Sequence, residues 1–192
     1  MPRPHMRAAW TCLLLALLAG DALAGARDEV IAASQKLLAL KTYHVTMTHA
    51  GKGPATTEAD FVAPDRYRLQ MPTGTQVIVG DTMYLSIEGR TMKVPLQKGM
   101  LTQWRDPMNL RANAARMTAT ALGSEPVDDR PAKKYAIANA DAPDMDTTMW
   151  VGGNGLPVKI VTRRKGSGPA AGTTTLRYSR FDDPAIRIAT PK

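Results

Sequence analysis

Few side chains in this sequence have the types and spacing that chemistry needs. Asp141, Asp144 and Asp146 would suit a hard cation, but the run lacks the central glycine and the later glutamate of a calcium loop. It reads as a solvated acidic turn, with calcium as the lesser alternative. His44 and His49 fall on opposite faces of a regular strand. Met47 shares a face with His49, a pair that suits cuprous ion, yet no third soft ligand stands nearby. Gly166-Ser167-Gly168 lacks the strand-turn-helix setting of a nucleophilic serine, and no phosphate loop or zinc helix motif occurs. The reading is of a non-enzymatic protein with no cofactor and no metal.

The methionines carry more information. Five of them, Met47, Met71, Met83, Met92 and Met149, sit where alternating patterns place apolar residues on one face of a strand. Thioether side chains adapt to guests of varied shape, but they also fill gaps in ordinary cores, and periodicity alone favours the core.

The elements that must position these residues are mostly strands. Phe61 to Gly89 is a meander: Tyr67, Leu69 and Met71 alternate with Arg66, Arg68 and Gln70. Val77 and Val79 follow the turn at Pro72-Thr73-Gly74, and Met83, Leu85 and Ile87 follow Gly80-Asp81. Before it, Tyr43, Val45 and Met47 and then Thr57, Ala59 and Phe61 predict two strands; after it, Met92 and Val94 predict a sixth that ends at Pro95. Lys134 to Ala138, Thr147 to Val151, Pro157 to Thr162 and Thr173 to Ser179 predict more, with a hairpin turn at Gly152 to Gly155. Lys165 to Gly172 reads as a loop.

Two helices are expected against this sheet. Arg27 to Lys41 places Val30, Ser34, Leu37 and Lys41 on one stripe, flanked by Ile31 and Leu38. The second opens at Asp106-Pro107, a capping residue followed by a first-turn proline, and carries Leu110, Ala114, Met117 and Ala121 at helical spacing.

Arg3 and Arg7, an apolar run from Ala8 to Ala19 and Ala22-Leu23-Ala24 have the form of a cleaved secretory signal, so residues 1–24 are read as a signal peptide and 25–192 as a single domain. The run is shorter than the roughly 20 residues a spanning helix needs. Cys12, the one cysteine, would leave with the signal, so the exported product would have neither disulfide nor cysteine nucleophile. The remainder carries 23 Lys and Arg against 16 Asp and Glu, a balance that favours anionic partners such as lipid head groups over nucleic acid in that compartment. Arg66 and Arg68, with Arg163, Arg164 and Lys165, are the expected basic surface for a transient membrane contact.

Three stretches carry a resemblance. Phe61-x-x-Pro-Asp-Arg-Tyr-Arg-Leu followed by Val77-Ile-Val-Gly-Asp-x-x-Tyr84, the hairpin WVGGNGLPVKIV from Trp150 to Val161, and YSRFDDPAIRIATP from Tyr178 to Pro191 together resemble the LolA-like superfamily of bacterial envelope proteins. That superfamily includes the periplasmic lipoprotein carrier and lipid-binding lipoproteins. The resemblance implies an α+β fold, an incomplete antiparallel β-barrel formed by a curved sheet and covered by two or three helices with a hydrophobic cavity between. It implies a periplasmic carrier or sensor of lipid or lipoprotein acyl chains, acting as a monomer. The lining it implies is Val45, Met47, Phe61, Tyr67, Leu69, Met71, Val77, Val79, Met83, Leu85, Ile87, Met92 and Met149 from the strands, with Leu110 and Met117 from the second helix. Ala63 stands before Pro64 where the lipoprotein carrier tends to have arginine, which departs from specific lipoprotein carriage and leaves general lipid binding intact. The alternative is a periplasmic protein-interaction or regulatory module on the same fold with no transported ligand.

Overall fold

The computed structural model describes residues 11–50, 55–98, 114–166 and 172–191, with side chains from residue 25 onward. One long helix, α1 (Thr11–Ala39), precedes eleven strands. These are β1 (Thr42–Ala50), β2 (Ala55–Val62), β3 (Arg66–Met71), β4 (Gly74–Val79), β5 (Thr82–Ile87), β6 (Arg90–Pro95), β7 (Met117–Val127), β8 (Arg130–Asn139), β9 (Met145–Gly152), β10 (Pro157–Arg164) and β11 (Gly172–Ser179). All lie in one sheet of order β6-β5-β4-β3-β2-β1-β11-β10-β9-β8-β7. Two sequential meanders, β1 to β6 and β7 to β11, are joined by the antiparallel pairing of β1 with β11. The sheet is therefore open, with β6 and β7 as its edges.

Tight turns set the register. Met71 pairs with Gly74, Val79 with Thr82, Ile87 with Arg90 and Val127 with Arg130, so each of these hairpins closes through two residues. Glu88-Gly89 and Asp128-Asp129 hold positive φ at both positions, as primed hairpin turns require. Gly74 is needed for another reason: its φ is +144°, and a Cβ there would lie 2.4 Å from the Ser86 carbonyl oxygen.

The first helix forms where the apolar spacing predicts it and continues back to Thr11. Its buried stripe is Ala26, Val30 and Ala33, while Ser34 and Leu37 of the expected stripe stay half-buried. Ala26, Val30 and Ala33 pack on Ala119, Tyr135, Met149 and Val151, with Met117, Ile137 and Ile160 around them. Arg27 donates to the Ala114 carbonyl oxygen at 2.6 Å, and Lys36 donates to that of Asn154 in the β9–β10 turn. Both long side chains thus fix the helix across β7 to β10.

The second helix needs correction. Leu110 and the first half of that segment, residues 106–113, lie outside the described residues, and its last part, Met117 to Ala121, is the start of β7. Thr118 and Thr120 alternate there with Met117, Ala119 and Ala121, a period of two that suits β-branched residues. Pro126 is tolerated because β7 is an edge strand. Among the described residues, one helix packs on an open sheet.

Candidate binding face

Residues directly paired across strands share a face, so register decides which side chains gather. From the α1 contacts outward, Tyr135 pairs with Met149, Met149 with Ile160, Ile160 with Leu176 and Leu176 with Met47. Val45 pairs with Tyr178 and Ala59, and Ala59 with Leu69. Tyr43 pairs with Phe61, Phe61 with Tyr67, Tyr67 with Ile78, Ile78 with Met83 and Met83 with Val94. One apolar face therefore runs the width of the sheet, and α1 lies on its β7 to β10 part. Met47, Met71, Met83, Met92 and Met149 all belong to this face.

Most of the strand residues expected to act together do fall on it: Val45, Met47, Phe61, Tyr67, Leu69, Met71, Met83, Leu85, Ile87, Met92 and Met149; Met117, expected on the second helix, joins them from β7. Val77 and Val79 do not. Val77 pairs with Arg68 and Tyr84, and Val79 with Arg66 and Thr82, which places both on the opposite face. The cause is the turn: with two loop residues, Gln76 and Ile78 continue the face of Met71, and Ile78 takes the place expected for the valines. Reasoning from sequence also left out Tyr43, Ile160, Leu176 and Tyr178, although Leu176 alternates visibly with Thr175 and Arg177.

The face is not uniform. At one end Phe61 is 1% exposed, stacked on Tyr43 at 4.9 Å between ring centres and tilted against Tyr67 at 5.1 Å. Tyr178 meets Tyr43 edge-on at 5.9 Å, and burial together with Tyr43 pushes its hydroxyl pKa upward. Toward β5 and β6 the apolar side chains come into the open: Ile87 is 39% and Met92 54% exposed. Val45, Leu69, Met83 and Leu85 between them are half-buried. A cavity of about 520 Å³ lies beside α1, lined by Ala32, Ala33, Ala132, Val151 and Gly153 with Glu29 and Lys133. None of the expected lining residues contributes to it.

The opposite face is polar at β1 to β3. His44 bridges Asp60 and Glu58, with a ring nitrogen 2.8 Å from each, and Thr46 donates to Glu58 at 2.7 Å. Arg68 donates to Asp60 from two nitrogens. Burial alone would raise the Asp60 pKa, but the bonds from His44 and Arg68 outweigh it and hold it below the ordinary 3.8. Glu29 is likewise held below 4.5, chiefly by the Tyr135 hydroxyl and then by Lys133. Carboxylates lowered in the folded state stabilise it above their unfolded pKa, and that contribution drains away as pH falls through the folded value. The melting temperature is accordingly expected to hold above about pH 5 and to fall between about pH 5 and pH 3. A melting curve flat across that window would contradict this account of Asp60 and Glu29.

The expected basic surface does not assemble. Arg66 donates to the Ile188 carbonyl oxygen at 2.9 Å and Arg68 is held by Asp60, both on β3. Arg164 lies 3.4 Å from Asp144 and Lys165 2.8 Å from Asp146, at the far end of β10. Strands β2, β1 and β11 separate the two groups. The acidic run thus serves as counterions, and among the described residues no group of three His, Cys, Asp or Glu side chains is placed to hold a metal ion. No helix among them is long and apolar enough to cross a membrane.

An open antiparallel sheet with a long helix across one part of one face is similar to solved structures of bacterial proteins, one of them a lipoprotein. Lipoprotein LppX from Mycobacterium tuberculosis matches with a TM-score of 0.67 and 15% identity over 84% of this chain and 97% of its own. LprF from Mycobacterium bovis matches at 0.62 and 14% identity, over 88% and 97%. A LolA superfamily protein from Nitrosomonas europaea aligns at 0.37 and 12% identity, over 84% and 94%. No family model matches the chain, and no curated protein matches it in sequence. At these identities the likeness to LppX and LprF is one of fold.

Proposed function

We propose that this is a non-catalytic envelope protein that binds the acyl chains of a lipid or lipoprotein on the α1 side of its sheet, exported to the periplasm by residues 1–24. The observation that carries the reading is the continuous apolar face, rich in methionine, on which Val45, Leu69, Met83 and Leu85 are half-buried and Met47, Ile87 and Met92 exposed. A soluble sheet seldom leaves so wide an apolar surface without a partner. The LolA-like motifs and the fold shared with LppX and LprF support it. Binding is by partition: each methylene taken from water contributes about 0.8 kcal/mol.

Two-carbon steps in chain length should therefore strengthen binding about tenfold each until the face is filled. Titration of the protein with saturated fatty acids of increasing length, beside native mass spectrometry for co-purified lipid, tests this. Affinity independent of chain length, with no lipid carried through purification, would remove the reading. The rival, a protein-interaction module, is favoured by β6, an edge strand exposed at every residue from Arg90 to Pro95, whose outer backbone edge is available for strand addition. In that case an extended peptide, and not lipid, accompanies the protein.

A further inference from the structure

We infer that the face is polarised along its strands and takes an amphiphile with an oxyanion head, carboxylate or phosphate, seated at the row Thr147, Thr162, Thr174 and His49. This rests on the reading of the face as an acyl-chain site and adds to it the direction and chemistry of the guest. The row is continuous by register: Thr147 pairs with Thr162, Thr162 with Thr174 and Thr174 with His49. The two outer pairs also touch, with the Thr147 and Thr162 hydroxyls 3.5 Å apart and His49 Nδ1 3.1 Å from the Thr174 hydroxyl.

One step along the strands, the same face carries Met149 and Ile160, packed under α1, and beside them Leu176, half-buried, and Met47, exposed. Another step brings Tyr178, Val45 and Ala59, and then the stacked Tyr43 and Phe61. Polarity on this face thus falls from one strand end to the other. The aromatic end is also the tied one, because the C-terminal segment is bonded across it. The Lys41 N–H donates to Asp182 Oδ1 at 2.7 Å, the Asp182 N–H to the Thr42 carbonyl oxygen at 2.8 Å, and the Thr42 hydroxyl to the Asp183 carbonyl oxygen at 3.0 Å. Leu40, Ile186 and Ile188 are buried there. An acyl chain entering from the hydroxyl row would run toward the aromatic end and leave its head behind.

The row's chemistry chooses the head. Three hydroxyls can each donate, and Arg164 follows two residues beyond Thr162 on the same strand face, half-exposed and paired with Asp144 at a loose 3.4 Å. An exposed ion pair of that length is worth little, so its guanidinium remains available to a stronger acceptor. Donors around a cation suit an oxyanion better than an alcohol and reject a quaternary ammonium.

The test uses one sixteen-carbon chain with four heads, carboxylate, phosphate, hydroxyl and trimethylammonium, together with inorganic phosphate alone, titrated against the protein and a Thr162→Val, Thr174→Val, Arg164→Gln triple variant. The two oxyanion probes should bind about tenfold or more tightly than the alcohol. The variant should lose that preference while keeping its alcohol affinity and its melting temperature. Inorganic phosphate should bind weakly, since the chain supplies most of the affinity; binding as tight as that of the lipid probe would mean a free-anion site and overturn the proposal. Equal affinity for all four heads, or a preference that survives the triple substitution, overturns the head assignment and leaves chain binding standing. Failure of every chain to bind overturns both. Should the triple variant melt early, Arg164→Gln alone is read by the same ratio.

Discussion

Replacing Phe61 by alanine is expected to cost about 3–5 kcal/mol of folding stability, within the usual range for a buried phenylalanine. Phe61 is among the largest fully buried side chains of the described residues, and its ring lies between Tyr43 on β1 and Tyr67 on β3. Truncation removes the transfer term, leaves a cavity the flanking strands cannot close without leaving register, and strips both tyrosines of a ring contact. For a chain of this size the melting temperature should drop by about 10 °C or more. Leu122→Ala is the matched control: that side chain is 52% exposed on β7, and its loss should cost less than about 0.5 kcal/mol. Urea unfolding of the two variants reads the difference directly. Equal, small effects would mean that the aromatic end of the face is not the packed end.

Ten of the strands were legible in the sequence because period-two alternation and turn residues agree there, and a local meander leaves little topology to choose. Two kinds of information were not legible. The first is parity through an apolar run: in Val77-Ile78-Val79 every residue is apolar, so alternation is silent and only the length of the preceding turn assigns faces. Counting Pro72-Thr73-Gly74 as the gap, when Gly74 is already paired with Met71, moves the valines to the wrong side. The second is the choice of period: Ala114, Met117 and Ala121 fit a helical stripe as well as Met117, Ala119 and Ala121 fit a strand. Small residues such as alanine carry too little β propensity to decide between them, and pairing with β8 does. The ion pairs of Arg164 and Lys165 belong to neither kind. They join β10 to acids just before and within β9, an adjacency that exists only once the sheet is formed.

Placement of the guest along this face makes a sharper demand than the chain-length series, because Leu69 and Gln70 are adjacent in sequence and opposite in orientation. Leu69 pairs with Ala59 and Gln76 on the α1 side, while Gln70 pairs with Glu58 and Thr75 on the other. Leu69 is half-buried, so an aspartate there still reaches water in the empty protein, and Leu69→Asp should fold. A bound acyl chain would cover that carboxylate and leave it without a counterion, at a cost of several kcal/mol. Affinity for a fluorescent fatty acid is therefore expected to fall at least about a hundredfold, which corresponds to about 2.7 kcal/mol. Leu85→Asp, further toward the β6 edge on the same face, should behave alike. Gln70→Asp should leave binding unchanged, and Leu69→Asn, which alters size and polarity without charge, should fall between. Circular dichroism melting separates loss of binding from loss of fold. A folded Leu69→Asp protein that binds as the parent does would place the acyl chain elsewhere, and the cavity beside α1 would then become the site to test.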